Sequence, residues 1–308
     1  MIITKTYLLP IFAFLALAMS CSAQFTVQQS MAAFQPLSLN PALAGEYNAL
    51  QTQLQHRTMW TGIDGAPVTS SVSAAAPMVP NKLYGSMHLS ADKIGLMSYH
   101  TILLGGAYKV KIARGHDLRF GLQFGTDMTT YRANEVLVSD ASDPELTFQA
   151  SRSTTFQMSS GLYYKAPQWY LGISVPAMFT PRYKSGGEWT SSHDIGSYNY
   201  HVQAAKKWKI HPEWTLHSGL YVKKIKALEH QTECYMLMDS RMIGAGLGYR
   251  YKDAVQLLLK WKVNEQLSIH YAYDHPANTL RSASQGTHEW LLGYVFIYNN
   301  RAHSPRTL

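Results

Sequence analysis

The sequence predicts an all-β fold, a transmembrane antiparallel outer-membrane β-barrel of about fourteen strands, and three observations carry that expectation. Charged residues make up only 15% of the 308-residue chain, where a soluble globule carries about 25%. Apolar residues recur with period two along most of its length, the spacing of strands with one apolar face. After Met19 no run approaches the ~20 consecutive apolar residues that a spanning helix needs. With 46% hydrophobic residues, 20 Tyr, 7 Trp and 21 Gly, the composition excludes disorder, a collagen, a coiled coil and a disulfide-stapled mini-protein. A soluble β-sandwich is the remaining competitor.

The amino-terminal element is read first. Lys5 supplies a positive n-region, Tyr7–Met19 an apolar h-region interrupted by Pro10, and Cys21-Ser22-Ala23 the small residues of a cleavage site. Residues 1–23 therefore read as a secretory signal peptide, with the mature chain starting at Gln24 and exported to the outer membrane. Ala18-Met19-Ser20-Cys21 loosely resembles a lipobox, so lipidation at Cys21 is the competing account. After cleavage Cys234 is the only cysteine and no intramolecular disulfide can form. The chain's formal charge is +8, and losing Lys5 leaves about +7. On an exported protein that balance points to anionic lipid headgroups or an acidic partner rather than nucleic acid. Residues 24–48 stand outside the strand series and form a periplasmic or lumenal segment.

The strands follow in order, near 49–57, 68–76, 84–90, 100–110, 117–131, 154–165, 169–175, 198–208, 214–224, 227–238, 242–250, 254–263, 267–275 and 287–298. Leu118, Phe120, Leu122 and Phe124 share one face, as do Val255, Leu257, Leu259 and Trp261, then Leu267, Ile269, Tyr271 and Tyr273, and last Trp290, Leu292, Tyr294 and Phe296. The opposite faces carry Gly, Ser, Gln, His and single charges, which suits a crowded wet lumen better than the Lys-, Glu- and Thr-rich face of a sandwich. Trp169, Trp208, Trp214, Trp261, Tyr249 and Tyr298 fall at strand ends, where a barrel keeps its interfacial girdle. Every second connection is short, while 132–153, 176–197 and 276–286 are long. That alternation puts the short turns in the periplasm and the long loops outside. The barrel is assigned to 49–298 and a basic periplasmic tail to 299–308.

Catalytic chemistry has little to stand on: there is no Gly-x-Ser-x-Gly elbow, no phosphate-cradling loop and no His-Glu-x-x-His. The 13 histidines are scattered without metal-ligand spacing, so no catalytic residue, metal or cofactor is assigned. Three constellations stand out instead. The first, Pro36 to Gly45, holds Asn40, Pro41 and Gly45 in a fixed turn that cannot be a strand. The second runs Arg57-x-x-Trp60-x-Gly62-x-Asp64-Gly65-Ala66-Pro67 between the first two strands, with Arg57 and Trp60 as contact types favoured at interfaces. The third, Asp92-Lys93-Ile94-Gly95, is expected in the connection between strands three and four. By strand parity the last two face outside.

In their order and spacing these motifs resemble the PorP/SprF family of Bacteroidota outer-membrane proteins. Tyr271-Ala272-Tyr273-Asp274, Gly286-Thr287-His288-Glu289 and the final aromatic strand agree with it, and the resemblance runs over essentially the whole mature chain. It implies a component of type IX secretion, linked to gliding motility, that holds a secreted adhesin or C-terminal sorting domain at the surface beside periplasmic components of the same system. It implies no catalytic residues, so the motif positions enter only as partner-contact candidates. A generic solute porin and a barrel hydrolase are the competing functions. An open lumen would favour the porin, and a segment 24–48 packed inside the barrel would favour the scaffold.

Overall fold

The computed structural model describes residues 28–132, 151–184, 188–192, 198–224 and 230–297. Fourteen strands close into one antiparallel barrel: β1 (Gln51–Thr58), β2 (Val68–Val79), β3 (Leu83–Ile94), β4 (Met97–Ala113), β5 (His116–Tyr131), β6 (Ser151–Lys165) and β7 (Trp169–Val175), then, after a separate hairpin of β8 (Thr180–Lys184) and β9 (Glu188–Ser192), β10 (Tyr200–Lys209), β11 (Thr215–Lys224), β12 (Gln231–Asp239), β13 (Ile243–Arg250), β14 (Ala254–Lys262), β15 (Leu267–Pro276) and β16 (Thr287–Val295). The first and last strands seal the cylinder over eight residue pairs, from Gln51 opposite Val295 to Thr58 opposite His288. Among the described residues no helix is long and apolar enough to cross a membrane, so the strands are the spanning elements.

Closure removes every edge in the main sheet, which leaves two faces to distinguish. Outward go Leu54, Ile102, Leu104, Phe120, Leu122, Phe124, Leu171, Ile173, Leu247, Leu257, Leu259 and Leu292, all exposed. On a soluble protein such a band would be a large aggregation-prone patch, and in a bilayer it is the lipid face. Trp169, Trp208, Trp214 and Trp261 are exposed beside the tight turns, and the Lys206 ammonium sits 3.8 Å from the Trp208 ring centroid. Inward go Gln55, Gln123, Gln157, Ser159, Gln203 and Gln256, all buried. The alternation expected from the sequence therefore sorts the faces as observed.

One barrel end is closed by connections 80–82, 114–115, 166–168, 210–214, 240–242 and 263–266, each five residues or fewer. The other end carries 59–67, the connection containing β8 and β9, and 277–286, which includes a 3-10 turn at Thr279–Ser282. By the length rule of outer-membrane barrels the first end is periplasmic and the second extracellular. Two expectations need correction. Asp92, Lys93 and Ile94 belong to β3, and only Gly95 and Leu96 make the turn into β4. The charges suggested a loop, yet Asp92 faces the lumen, where a carboxylate is tolerated. The long connection after β7 also has its own hairpin, β8–β9. The last strand ends at Val295, short of the expected 298, and the expected 132–153 loop falls largely outside the described residues, as do the signal peptide and the tail.

The lumen is filled by the chain itself. Met31, Ala32, Leu37, Leu39, Asn40 and Pro41 through Gly45 are buried; Met31, Leu37 and Ala42 to Ala44 pack with Tyr84, Ala107, Tyr163, Tyr170, Tyr235 and Leu258 of the inner wall, and Ala32 and Leu39 with Tyr221.

Candidate functional site

Four features organise the lumen and its outer mouth: the lumenal segment, two charged anchors and the rim. The first constellation forms the body of the lumenal segment. Asn40 caps a 3-10 turn over Pro41–Gly45, its Oδ1 accepting from the Ala42 N–H at 2.9 Å, which is how Asn starts a helix whose first residue is Pro. Its Nδ2 donates to the carbonyls of Leu162 (3.2 Å) and Ile173 (3.4 Å), and Ser174 Oγ donates to the Leu39 carbonyl at 2.6 Å. The segment lies so close to the wall that a Cβ at Gly121 would collide with the backbone of Pro41 and Ala42, and one at Gly161 with the Asn40 side chain. Gly45 leaves room for the Tyr84 ring.

Below that turn a clamp fixes the periplasmic end. Glu46 Oε2 accepts from Arg119 at 2.7 Å, and Lys165 pairs with Oε1. Burial would raise the Glu46 carboxyl, but the Arg119 and Lys165 charges outweigh it and hold its pKa below the ordinary value.

Near the extracellular end five strands converge on a second charged group, a clasp around Ser30. Arg57 on β1 pairs with Glu289 on β16 and, at 3.1 Å, with Asp274 on β15. Arg250 on β13 pairs with Asp274 at 3.0 Å, with Glu233 on β12 at 3.0 Å, and with Asp253 at 3.1 Å. Ser30 sits among them: its N–H donates to Glu289 at 2.7 Å, and its hydroxyl donates to Asp274 while accepting from both arginines. Glu233, Arg250, Asp274 and Glu289 are no more than 3% exposed, and Arg57 1%. Charges so deep persist only when paired, and here the pairing reaches the segment's backbone. Arg57 was expected as a partner contact. The structure places it on β1 as a buried lumenal residue, because a strand's last inward position and a loop's first residue look alike in sequence.

The remainder of the second constellation is the rim. Trp60 adopts φ +46°, Gly62 +95°, Gly65 +72° and Gly95 +52°, so the glycines supply backbone that other residues resist. Gly95 N–H donates to the Gly65 carbonyl at 2.8 Å, and a Cβ at Gly65 would lie 3.3 Å from the Gly95 Cα. The second and third constellations thus meet, although they are separate in sequence. On the other side Thr61 exchanges backbone bonds with loop 277–286, its N–H donating to the Gly286 carbonyl and its carbonyl accepting from the Gln285 N–H, at 2.8 Å each. Pro67 is buried and its carbonyl accepts from Met59 at 2.9 Å. Asp64 and Lys93 are exposed, Trp60 half-buried and Asp92 buried. Asn40, Pro41 and Gly45 lie deep in the lumen, apart from the rim.

Sequence reasoning missed Ser30, Glu233, Arg250, Asp274 and Glu289 as members of the site. Their signal was positional: each charge among them occupies an inward position near the loop-side end of its strand, where a lone surface charge would gain nothing.

A closed fourteen-strand sheet with an apolar outer band leaves one class of protein, an outer-membrane β-barrel whose lumen is occupied by its own chain. Within that class the sequence matches the family of the type IX secretion system membrane protein PorP/SprF over residues 21–294, and the chain belongs to that family. Among solved structures, the toluene transporter TbuX of Ralstonia pickettii superposes with a TM-score of 0.52 at 9% identity, covering 83% of this chain and 91% of that one. A Pseudomonas aeruginosa FadL homologue gives 0.48 at 10%, covering 85% and 94%. At such identities the likeness to TbuX is one of fold. No curated protein matches the sequence significantly.

Proposed function

We propose that this chain is an outer-membrane component of type IX secretion that binds and retains secreted proteins, adhesins or C-terminal sorting domains, at the cell surface, in association with gliding motility. Signal peptide 1–23 directs export, and the tail 299–308 stays periplasmic beside other components of the system. The observation that carries the reading is the rim: the second and third constellations are locked to each other through Gly65 and Gly95, leaving Trp60, Asp64 and Lys93 on a pre-ordered outer surface. Such a surface loses little entropy on binding a partner. The occupied lumen supports a scaffold over a porin, since solute passage would require a segment with many wall contacts to leave. The motif residues set conformation and charge pairing, which supports binding over hydrolysis.

The test replaces Trp60 and Lys93 by Ala, confirms assembly by heat-modifiable gel migration, and follows the secreted protein. Release into the medium from an intact barrel is expected. A partner that stays attached to an intact barrel removes the rim from the retention face. Intact mass should place the mature start at Gln24, and a lipid on Cys21 would overturn the processing account.

A further inference from the structure

We infer that the lumenal segment is threaded outward, so that its amino-terminal end stands at the extracellular mouth and forms, with the rim around Trp60, the face a secreted partner meets. The partner half of this statement rests on the retention reading; the direction does not. Two anchors fix the direction. Glu46 is held by Arg119 and Lys165, at the ends of β5 and β6 beside turns 114–115 and 166–168, on the periplasmic side. Ser30 is held by Asp274 and Glu289, next to loop 277–286, and Gln28 Nε2 donates at 2.9 Å to Asp253 in the connection 251–253, on the extracellular side.

The chain length allows the crossing. Residues 28 to 46 could span roughly 60 Å if extended, about twice the apolar height of a barrel. The slack is taken up by the turns at Ala32–Phe34 and Pro41–Gly45. At the mouth Gln28, Trp60, Asp253 and Asn278 line one small cavity, which makes the end of the segment and the rim motif neighbours. With Arg57 and Arg250 on the same lining, a tryptophan stands beside amides and charges of both signs, which suits the polar backbone and side chains of a polypeptide and does not suit an acyl chain.

The experiment uses the full chain in cells, with a short epitope inserted between Phe25 and Thr26 and, as a control, the same epitope in the turn at Asn264. Antibody fragments should bind the first on intact cells and the second only after permeabilisation. Binding of the first only after permeabilisation overturns the threading. Should that insertion fail to assemble, Gln28→Cys on a Cys234→Ala background, probed with an impermeant maleimide, gives the same readout. The bound fragment should also shift most of the secreted protein into the medium. Full retention with the fragment bound overturns the contact role of this end and leaves its direction standing. Failure of the unmodified protein to retain any secreted protein overturns the retention reading alone.

Discussion

Replacing Arg57 by Ala probes the clasp most directly. The side chain is 1% exposed and makes three contacts, to Glu289, Asp274 and Ser30. Asp274 would keep Arg250 as a partner, whereas Glu289 would keep the Ser30 N–H and Gln55 Nε2 and lose the Arg57 guanidinium. One buried carboxylate stripped of its counter-charge costs about 3–5 kcal/mol. Since 1.4 kcal/mol is tenfold in an equilibrium, local opening around Ser30 should rise by at least about 100-fold. Hydrogen exchange of the Ser30–Ala32 amides reads that opening, and heat-modifiable migration reads the whole barrel. Adding Glu289→Gln to Arg57→Ala removes the stranded charge and should recover about 1–3 kcal/mol. Wild-type protection in Arg57→Ala, or a double variant less protected than the single one, would refute the reasoning.

Three further outcomes are expected. Gly161→Ala drives a methyl into Asn40, so the barrel should still form while the lumenal segment is displaced, raising single-channel conductance in planar bilayers above that of the unmodified protein. Gly65→Ala places an L residue at φ +72° against Gly95. It should cost about 1–2 kcal/mol and appear as faster protease cleavage in 59–67. Glu46 has a folded pKa below its ordinary value, so its contribution is full above the unfolded value near 4.5 and fades as pH falls through the folded one. Exchange protection of Ala42–Glu46 should therefore drop on strong acidification, and Glu46→Gln should lower it at neutral pH and flatten that dependence.

The barrel was legible because its two faces meet different solvents. A lipid face demands Leu, Ile and Phe at alternate positions, and the run 118–124 or 255–261 shows that without any tertiary knowledge. The connections were legible in the same way, since turns of five residues or fewer leave little sequence between strands. What the sequence hid was the sorting of charges. Asp92 looks like a loop residue because carboxylates are rare in strands of soluble proteins, but a lumen solvates or pairs them. Arg57 looks like a hot spot because Arg beside Trp is common at interfaces, and only the register, which sets Arg57 opposite Glu289, reveals that it points inward. The segment at 31–45 was equally opaque. It has no periodicity, and its burial comes from glycines at 121 and 161, far along the chain, which clear space for it.

The clasp also has a temporal meaning. Arg57 and Glu289 are 232 positions apart and Ser30 and Glu289 are 259 apart, so residues near the beginning of the chain wait for one of the last strands before their charges are matched. Contacts of that span form late. The close fit of the segment against Gly121 and Gly161 favours its being in place before β1 and β16 zip together. A chain cut short before Glu289 would therefore be left with Arg57 lacking one of its two carboxylates and the seam unsealed. The same ion pair that anchors Ser30 thereby acts as a checkpoint, tying closure of the cylinder to the arrival of a complete polypeptide.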